Sequence, residues 1–194
     1  MYFKPTDIES IASQIKSGKI GVFPCDTILG LVGLATERNC SRIQSIKQRQ
    51  STPFIVLVSN ISQVKQLSSS LSQKNDQLLT QYWPGPITFI LEKSESLPPI
   101  LTAGKDSIGL RQPDFLPLNY LLRCIDAPII STSVNSHGQK AALTKEAIPA
   151  DILEQLDFCY TATIADSSQA STVVDLTQDL PKILRQGDLH FEIN

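Results

Sequence analysis

The chain has 194 residues, 41% of them hydrophobic and 19% charged, which is enough apolar character for a packed core and too little charge for a disordered polymer. Its 17 basic and 19 acidic side chains leave a formal charge of −2, excluding a polyanion binder that works by bulk positive charge and leaving only a local basic patch. Two histidines exclude a histidine-rich metal centre, and no apolar run approaches the ~20 residues needed to cross a bilayer.

This length suits one domain over residues 1–194. The opening Met1-Tyr2-Phe3-Lys4-Pro5 lacks the pattern of a secretory leader, so a cytoplasmic protein without membrane attachment is expected. Cys25, Cys40, Cys124 and Cys159 are widely spaced and contain no Cys-x-x-Cys pair; reduced, mostly buried thiols are expected.

Thr6 followed by Glu9 has capping-box spacing, and Ile8, Ile11 and Ile15 recur at helical intervals up to Gly18. Residues 20–23 read as a short strand ended by Pro24, and residues 24–31 as its polar exit, with Thr27 available to a ligand. A second helix is predicted over residues 36–49, with Cys40, Ile43 and Ile46 inward and Arg38 and Arg42 outward. Its last residues, Lys47 and Arg49, fit two roles equally: partners of the helix dipole, or cations aimed at phosphates.

Residues 54–58 read as a buried strand and residues 60–81 as one or two surface helices, broken by Tyr82-Trp83-Pro84-Gly85-Pro86. Strands follow at 87–91 and at 107–113, the latter delivering Arg111 at its end, with loop at 97–99 and 103–106. A helix over 116–124 precedes Ile129-Ile130-Ser131-Thr132-Ser133-Val134-Asn135, where an apolar strand runs out into hydroxyls and an amide. Ser131 and Ser133 lie two apart, so an extended chain points both to one side. A helix at 150–156 and strands at 158–161, 171–176 and 182–187 complete the chain, the last ending at Arg185. Irregular alternation of strands and helices predicts an α/β or α+β fold with a mixed sheet.

Phosphate loops, dinucleotide fingerprints and nucleophile elbows are missing from the sequence. What repeats is an element end carrying a cation (Lys47, Arg49, Arg111, Arg185) or a hydroxyl (Thr27, Ser131, Ser133, Ser171). Four cations converging on one cleft would suit a polyphosphate.

Pro24-Cys25-Asp26-Thr27-Ile28-Leu29-Gly30-Leu31, Lys47-Gln48-Arg49, Trp83-Pro84-Gly85-Pro86-Ile87-Thr88, Gly109-Leu110-Arg111, Ser131 to Asn135, Ser171 to Asp175 and Leu184-Arg185-Gln186-Gly187 occur in the order seen in the YrdC-like family, which the chain resembles. Each match is short, and the ordered set spans nearly the whole chain. The resemblance implies a twisted α/β open sandwich with a mixed parallel and antiparallel sheet, flanking helices and a large cleft. It implies an L-threonylcarbamoyladenylate synthase, which condenses L-threonine, bicarbonate and ATP, with magnesium carried by the ATP, for threonylcarbamoylation of transfer RNA.

By the same resemblance, Lys47 and Arg49 are catalytic phosphate ligands, and Ser107, Ser133, Asn135, Ala141 and Arg185 join them around ATP. Thr27, Arg111, Ser131 and Ser171 form the threonine pocket. The transferase machinery that uses the product would be the protein partner. Direct contact with transfer RNA or double-stranded RNA is the alternative use of the same cleft, with Arg38, Arg42, Lys47 and Arg49 as a basic edge; a paralogue with another substrate is the third reading. The chain departs from the family pattern at Leu29, Pro53, His137 and the segment after Arg111, and its end soon after Arg185 matches the short form without a further domain.

Overall fold

The computed structural model describes residues 4–25, 28–48, 52–135, 141–161, 170–187 and 189–192. The elements in chain order are α1 (Pro5–Lys16), β1 (Gly21–Cys25), β2 (Ile28–Leu34), α2 (Glu37–Ile46), β3 (Ile55–Leu57), α3 (Ile61–Leu67), α4 (Gln73–Tyr82) and β4 (Ile87–Glu92). They continue with α5 (Pro99–Thr102), β5 (Ser107–Arg111), α6 (Leu116–Ile125), β6 (Ile129–Ser133), a 3₁₀ turn at Lys145–Ala147, α7 (Ala150–Leu153), β7 (Phe158–Cys159), β8 (Thr172–Asp175) and β9 (Lys182–Arg185). The nine strands form one mixed sheet in the order β7-β1-β2-β6-β3-β5-β4-β8-β9. Pairs β1–β7, β3–β5 and β4–β8 are parallel and the other five antiparallel. This is the mixed α/β sheet expected, with helices on both faces.

Period-two alternation divides the sheet into two chemistries. Ile130, Phe89, Leu110 and Val174 point to the larger apolar cluster, shared with Cys40, Ile43 and Ile46 of α2. Ile129, Leu57 and Cys25 point to the other face, where Ile8, Ile11 and Ile15 of α1 and Leu118, Leu121 and Leu122 of α6 close a second cluster. The α1–α6 pair packs against β1 and β2. Further along that face the side chains turn polar.

Four local expectations change. The first helix begins at Pro5 with Lys4 as N-cap and no side-chain cap bond, so Thr6 lies inside the first turn. Proline at the first position fixes φ and lacks an N–H that would have no partner there, so it outcompetes the hydroxyl cap. Pro24 does not end β1: it pairs with Leu29, because β7 reaches only Gly21 and Val22 and leaves the outer side of Pro24 with no ladder partner to lose.

The polar exit at 24–31 is in large part strand β2, buried over most of its length. Gly30 and Gly33 resemble turn residues but serve packing. A Cβ at Gly30 would stand 2.6 Å from Cys25 Sγ and 2.9 Å from Ser131 Oγ, and one at Gly33 2.7 Å from Ile20 Cγ2. Finally, Pro99, read as loop, opens the short helix α5.

Thr36 caps α2 by accepting from the Asn39 N–H at 3.4 Å. Arg42, outward on that helix, donates to Asp157 Oδ2 at 2.5 Å and to the Gln155 carbonyl at 2.8 Å, while the Ile20 N–H donates to the same carboxylate oxygen at 2.8 Å. Burial alone would raise the Asp157 pKa, but the Arg42 and Ile20 hydrogen bonds hold it below the usual value. A depressed folded pKa gives stability that is complete above the unfolded value of about 3.9 and is lost as pH falls through the folded one. Asp157→Asn is expected to cost about 1 kcal/mol at neutral pH, since both partners are partly exposed, and to flatten the acid side of the stability profile. Chemical denaturation at pH 7 and pH 3 checks this; equal losses at both would contradict it.

Candidate active site

The polar part of the α1–α6 face is a cleft of about 370 Å³. Arg111, Ser131, Ser133, Asn135, Ser171 and Arg185 line it, over an apolar floor that includes Ile55 and Leu57. Register explains the assembly. Ile55 pairs with Ser131 on one side and Gly109 on the other, and Leu57 pairs with Ile129 and Arg111. Arg111 and Ser131 therefore rise from the same face, and Ser133 follows two residues on. Arg185 arrives on that face opposite Val173.

Arg111 is 5% exposed, and its Nε donates to the Gly85 carbonyl at 3.3 Å. The Trp83-Pro84-Gly85-Pro86 turn thus orients a buried guanidinium. Arg185 Nε donates to the Ser171 carbonyl at 2.9 Å, and Nη2 reaches Ser171 Oγ at 3.2 Å. Partial burial lowers the Arg185 pKa, and the charge of Arg111 lowers it further. Two guanidiniums close enough to feel one another are held against mutual repulsion, a cost that an anionic ligand would reverse. None of the described residues lining the cleft is Asp or Glu, although acidic residues outnumber basic ones in the chain.

Lys47 is the C-cap of α2 and is 5% exposed. Its Nζ donates to the Ser133 carbonyl and, at 2.8 Å, to Asn135 Oδ1, with the Thr132 and Ser133 hydroxyls at 3.5 and 3.4 Å. Ser133 Oγ donates to the same Asn135 oxygen at 2.7 Å. Lys47 borders a small cavity that shares Pro53 and Thr132 with the large cleft, so it acts on the site from behind the strand. At once it is a buried positive charge and the anchor of the Ser133–Asn135 segment. To the two roles that the sequence left open for a helix-end lysine, the structure adds this third one.

Ser131 Oγ donates toward Cys25 Sγ at 3.5 Å, and Ala141 lines the cleft. Ser107 does not: it opens β5 opposite Glu92, on the same face as Arg111 but four residues away, about 13 Å along a strand. Thr27, Arg49 and His137 lie outside the described residues. Two of the four predicted cations, Arg111 and Arg185, thus line the cleft, and a third, Lys47, backs it from behind β6. The sequence reading passed over Thr88, Cys25 and Thr132; Thr88 stood within the Trp83 to Thr88 motif, yet only the strand pairing shows what it touches.

The hydroxyl and amide oxygens around the cleft are weak ligands for a divalent cation, and no group of three or more His, Cys, Asp or Glu is gathered among the described residues. Among them, too, no helix is long and apolar enough to cross a membrane.

Comparison with known proteins gives a consistent set of relatives. The sequence profile of the family described as telomere recombination (Sua5, YciO and YrdC) matches residues 13–187. The threonylcarbamoyl-AMP synthase of Pyrococcus abyssi is 29% identical over 187 residues, covering 95% of this chain and 55% of its own. That of Bacillus subtilis is 29% identical over 185 residues, covering 94% and 54%. The chain therefore spans about half the length of these curated relatives. Among solved structures, P. abyssi Sua5 complexed with L-threonine has a TM-score of 0.90 at 28% identity, over 97% of this chain and 56% of that one. Escherichia coli YciO, at 24% identity and a TM-score of 0.84 over 96% and 92%, shares the fold.

Proposed function

The chain belongs to the Sua5, YciO and YrdC family, and from that premise we propose that it is a threonylcarbamoyl-AMP synthase acting on L-threonine, bicarbonate and ATP. The observation that carries the reading is the cleft itself: two guanidiniums and a ring of hydroxyl and amide groups, backed by Lys47, with no carboxylate among its described lining residues. Its volume suits small-molecule substrates. The relatives' name and the threonine complex of P. abyssi Sua5 support the same substrates.

In this reaction the threonine amine attacks the carbon of carbon dioxide, giving a carbamate and releasing a proton, or that of bicarbonate, whose C–OH bond breaks as water leaves. A carbamate oxygen then bonds to the α-phosphorus of ATP, the bond to the β-phosphate oxygen breaks, and pyrophosphate leaves. No side chain need form a covalent intermediate. Charge neutralisation and alignment supply the rate, the standard division of labour in transfers at phosphorus. Lys47 and Arg49 serve the phosphates, with Ser133, Asn135, Ala141 and Arg185 around the nucleotide. Thr27, Arg111, Ser131 and Ser171 surround threonine, Arg111 facing its carboxylate. Magnesium enters with the triphosphate as part of the substrate. The product would feed threonylcarbamoylation of transfer RNA in the cytoplasm.

The RNA-binding alternative has less support. Arg42 is committed to Asp157 and Gln155, and Lys47 is buried, so these two do not form an outward basic edge. Incubation with ATP, bicarbonate and L-threonine is expected to release pyrophosphate only when threonine is present. Absence of release, or release that ignores threonine, would reject the synthase reading.

A further inference from the structure

We propose that Thr88 is a positioning residue that fixes the Ser171 hydroxyl as a hydrogen-bond donor to an anionic oxygen of the substrate. The inference rests on the synthase reading for the identity of that substrate, and on hydrogen-bond accounting for the rest.

Thr88 is 1% exposed and does not line the cleft. Its register partner on β8 is Val173, which brings its hydroxyl to 3.0 Å from Ser171 Oγ, and among the described residues that oxygen is its single hydrogen-bond partner. Ser171 is 3% exposed, lines the cleft, and also receives Arg185 Nη2 at 3.2 Å. Two proton arrangements are open to the pair. If Ser171 donated to Thr88, the Thr88 proton would be buried without an acceptor, a costly state for a hydroxyl. If Thr88 donates, every proton finds a place. Ser171 Oγ then accepts from Thr88 and from Arg185, which occupies both its lone pairs. Its own proton can point only to the cleft.

The group it meets there must be an acceptor. Beside Arg111 and Arg185, the latter's pKa lowered by burial and then by the charge of Arg111, the acceptor that gains most is an anionic oxygen. Two substrates could supply it: the threonine carboxylate or a phosphate of ATP. An ammonium group is excluded, because Ser171 has no lone pair left to receive it. Arg185 and Ser171 thereby act as one donor pair, with Thr88 as the switch that sets its polarity.

The test is initial-rate kinetics of pyrophosphate release by the full chain, varying threonine and ATP separately. Thr88→Val keeps the shape and removes the donor. It is expected to raise one KM about tenfold while kcat changes less. A rise for threonine places the oxygen on the carboxylate; a rise for ATP places it on a phosphate. Thr88→Ser should restore the wild-type value within about twofold, and Thr88→Val should add nothing in a Ser171→Ala background. If both KM values are unchanged, or if Thr88→Val costs as much without the Ser171 hydroxyl as with it, the proposal fails. Should Thr88→Val not fold, Thr88→Cys retains the volume with a weak donor and serves the same comparison. Wild-type protein without threonine-dependent release would reject the synthase reading alone. Calorimetric titration of ATP and of L-threonine into wild type and Thr88→Val then reads the same contact without catalysis, and equal affinities would overturn the role of Thr88.

Discussion

Replacing Lys47 by methionine is expected to lower kcat/KM for pyrophosphate release by about two orders of magnitude, from loss of roughly 3 kcal/mol of transition-state stabilisation. The methionine keeps the apolar stem packed beside Ile43 and Phe54, so the loss is confined to the ammonium group. That group donates to Ser133 and Asn135, which line the cleft, and it is the cation at the end of α2. Removing it has two effects of the same sign. On the proposed reaction, the developing charge on the departing pyrophosphate loses a cation, and the Ser133–Asn135 segment loses the tie that sets its direction. Lys47→Arg should recover little, because a planar fork does not fit acceptors spread over Thr132, Ser133 and Asn135. Steady-state kinetics with a melting curve separate these effects from unfolding. Activity within threefold of wild type at unchanged stability would return Lys47 to a plain helix-end charge.

Much of this site was legible in the sequence, because a strand that ends in a cation or a hydroxyl announces itself. Arg111, Ser131, Ser133, Ser171 and Arg185 are all such residues, and pairing across β6, β3, β5, β4, β8 and β9 brings them to one face. What stayed hidden depends on long-range partners. Strand β2 carries two glycines that look like turn residues, and only the neighbours that a Cβ would strike show them to be packing positions. Lys47 is five residues from Arg42 on the same helix, yet one side chain is tied to the cleft wall and the other to Asp157. Ser107 is not among the residues lining the cleft, because β5 separates it from Arg111 by the length of the strand. Thr88 was invisible as a functional residue because its role exists only through Ser171, 83 positions away.

The recurrence of Ser171 in these contacts points to the junction of β8 and β9 as the most demanding part of the site, and Gly187→Ala is the sharpest way to disturb it. A Cβ at Gly187 would lie 2.0 Å from the Ala170 carbonyl oxygen, 2.6 Å from the Thr172 nitrogen and 2.7 Å from the Ser171 carbonyl carbon. All three are backbone atoms, so no side chain can rotate away, and relief requires moving the strand that carries Ser171. The Gly187 N–H also donates to Thr172 Oγ1 at 3.0 Å, and that hydroxyl donates to the Leu189 carbonyl at 2.6 Å, so the junction is cross-tied at the point of collision. A loss of about 3 kcal/mol is expected, at the upper end for overpacking. For a chain of this size it lowers the melting temperature by roughly 6–12 °C. Substrate KM should rise as well, since Arg185 and Ser171 lose their mutual alignment. Gly104→Ala supplies the control. Gly104 has φ +77° and nothing within 4 Å of the added methyl, so its cost is backbone strain alone, about 1 kcal/mol, with kinetics unchanged. If the two alanine variants melt together and bind substrate alike, close approach at Gly187 does not hold the β8–β9 junction, and the Arg185–Ser171 pair must owe its alignment to something other than the backbone beneath it.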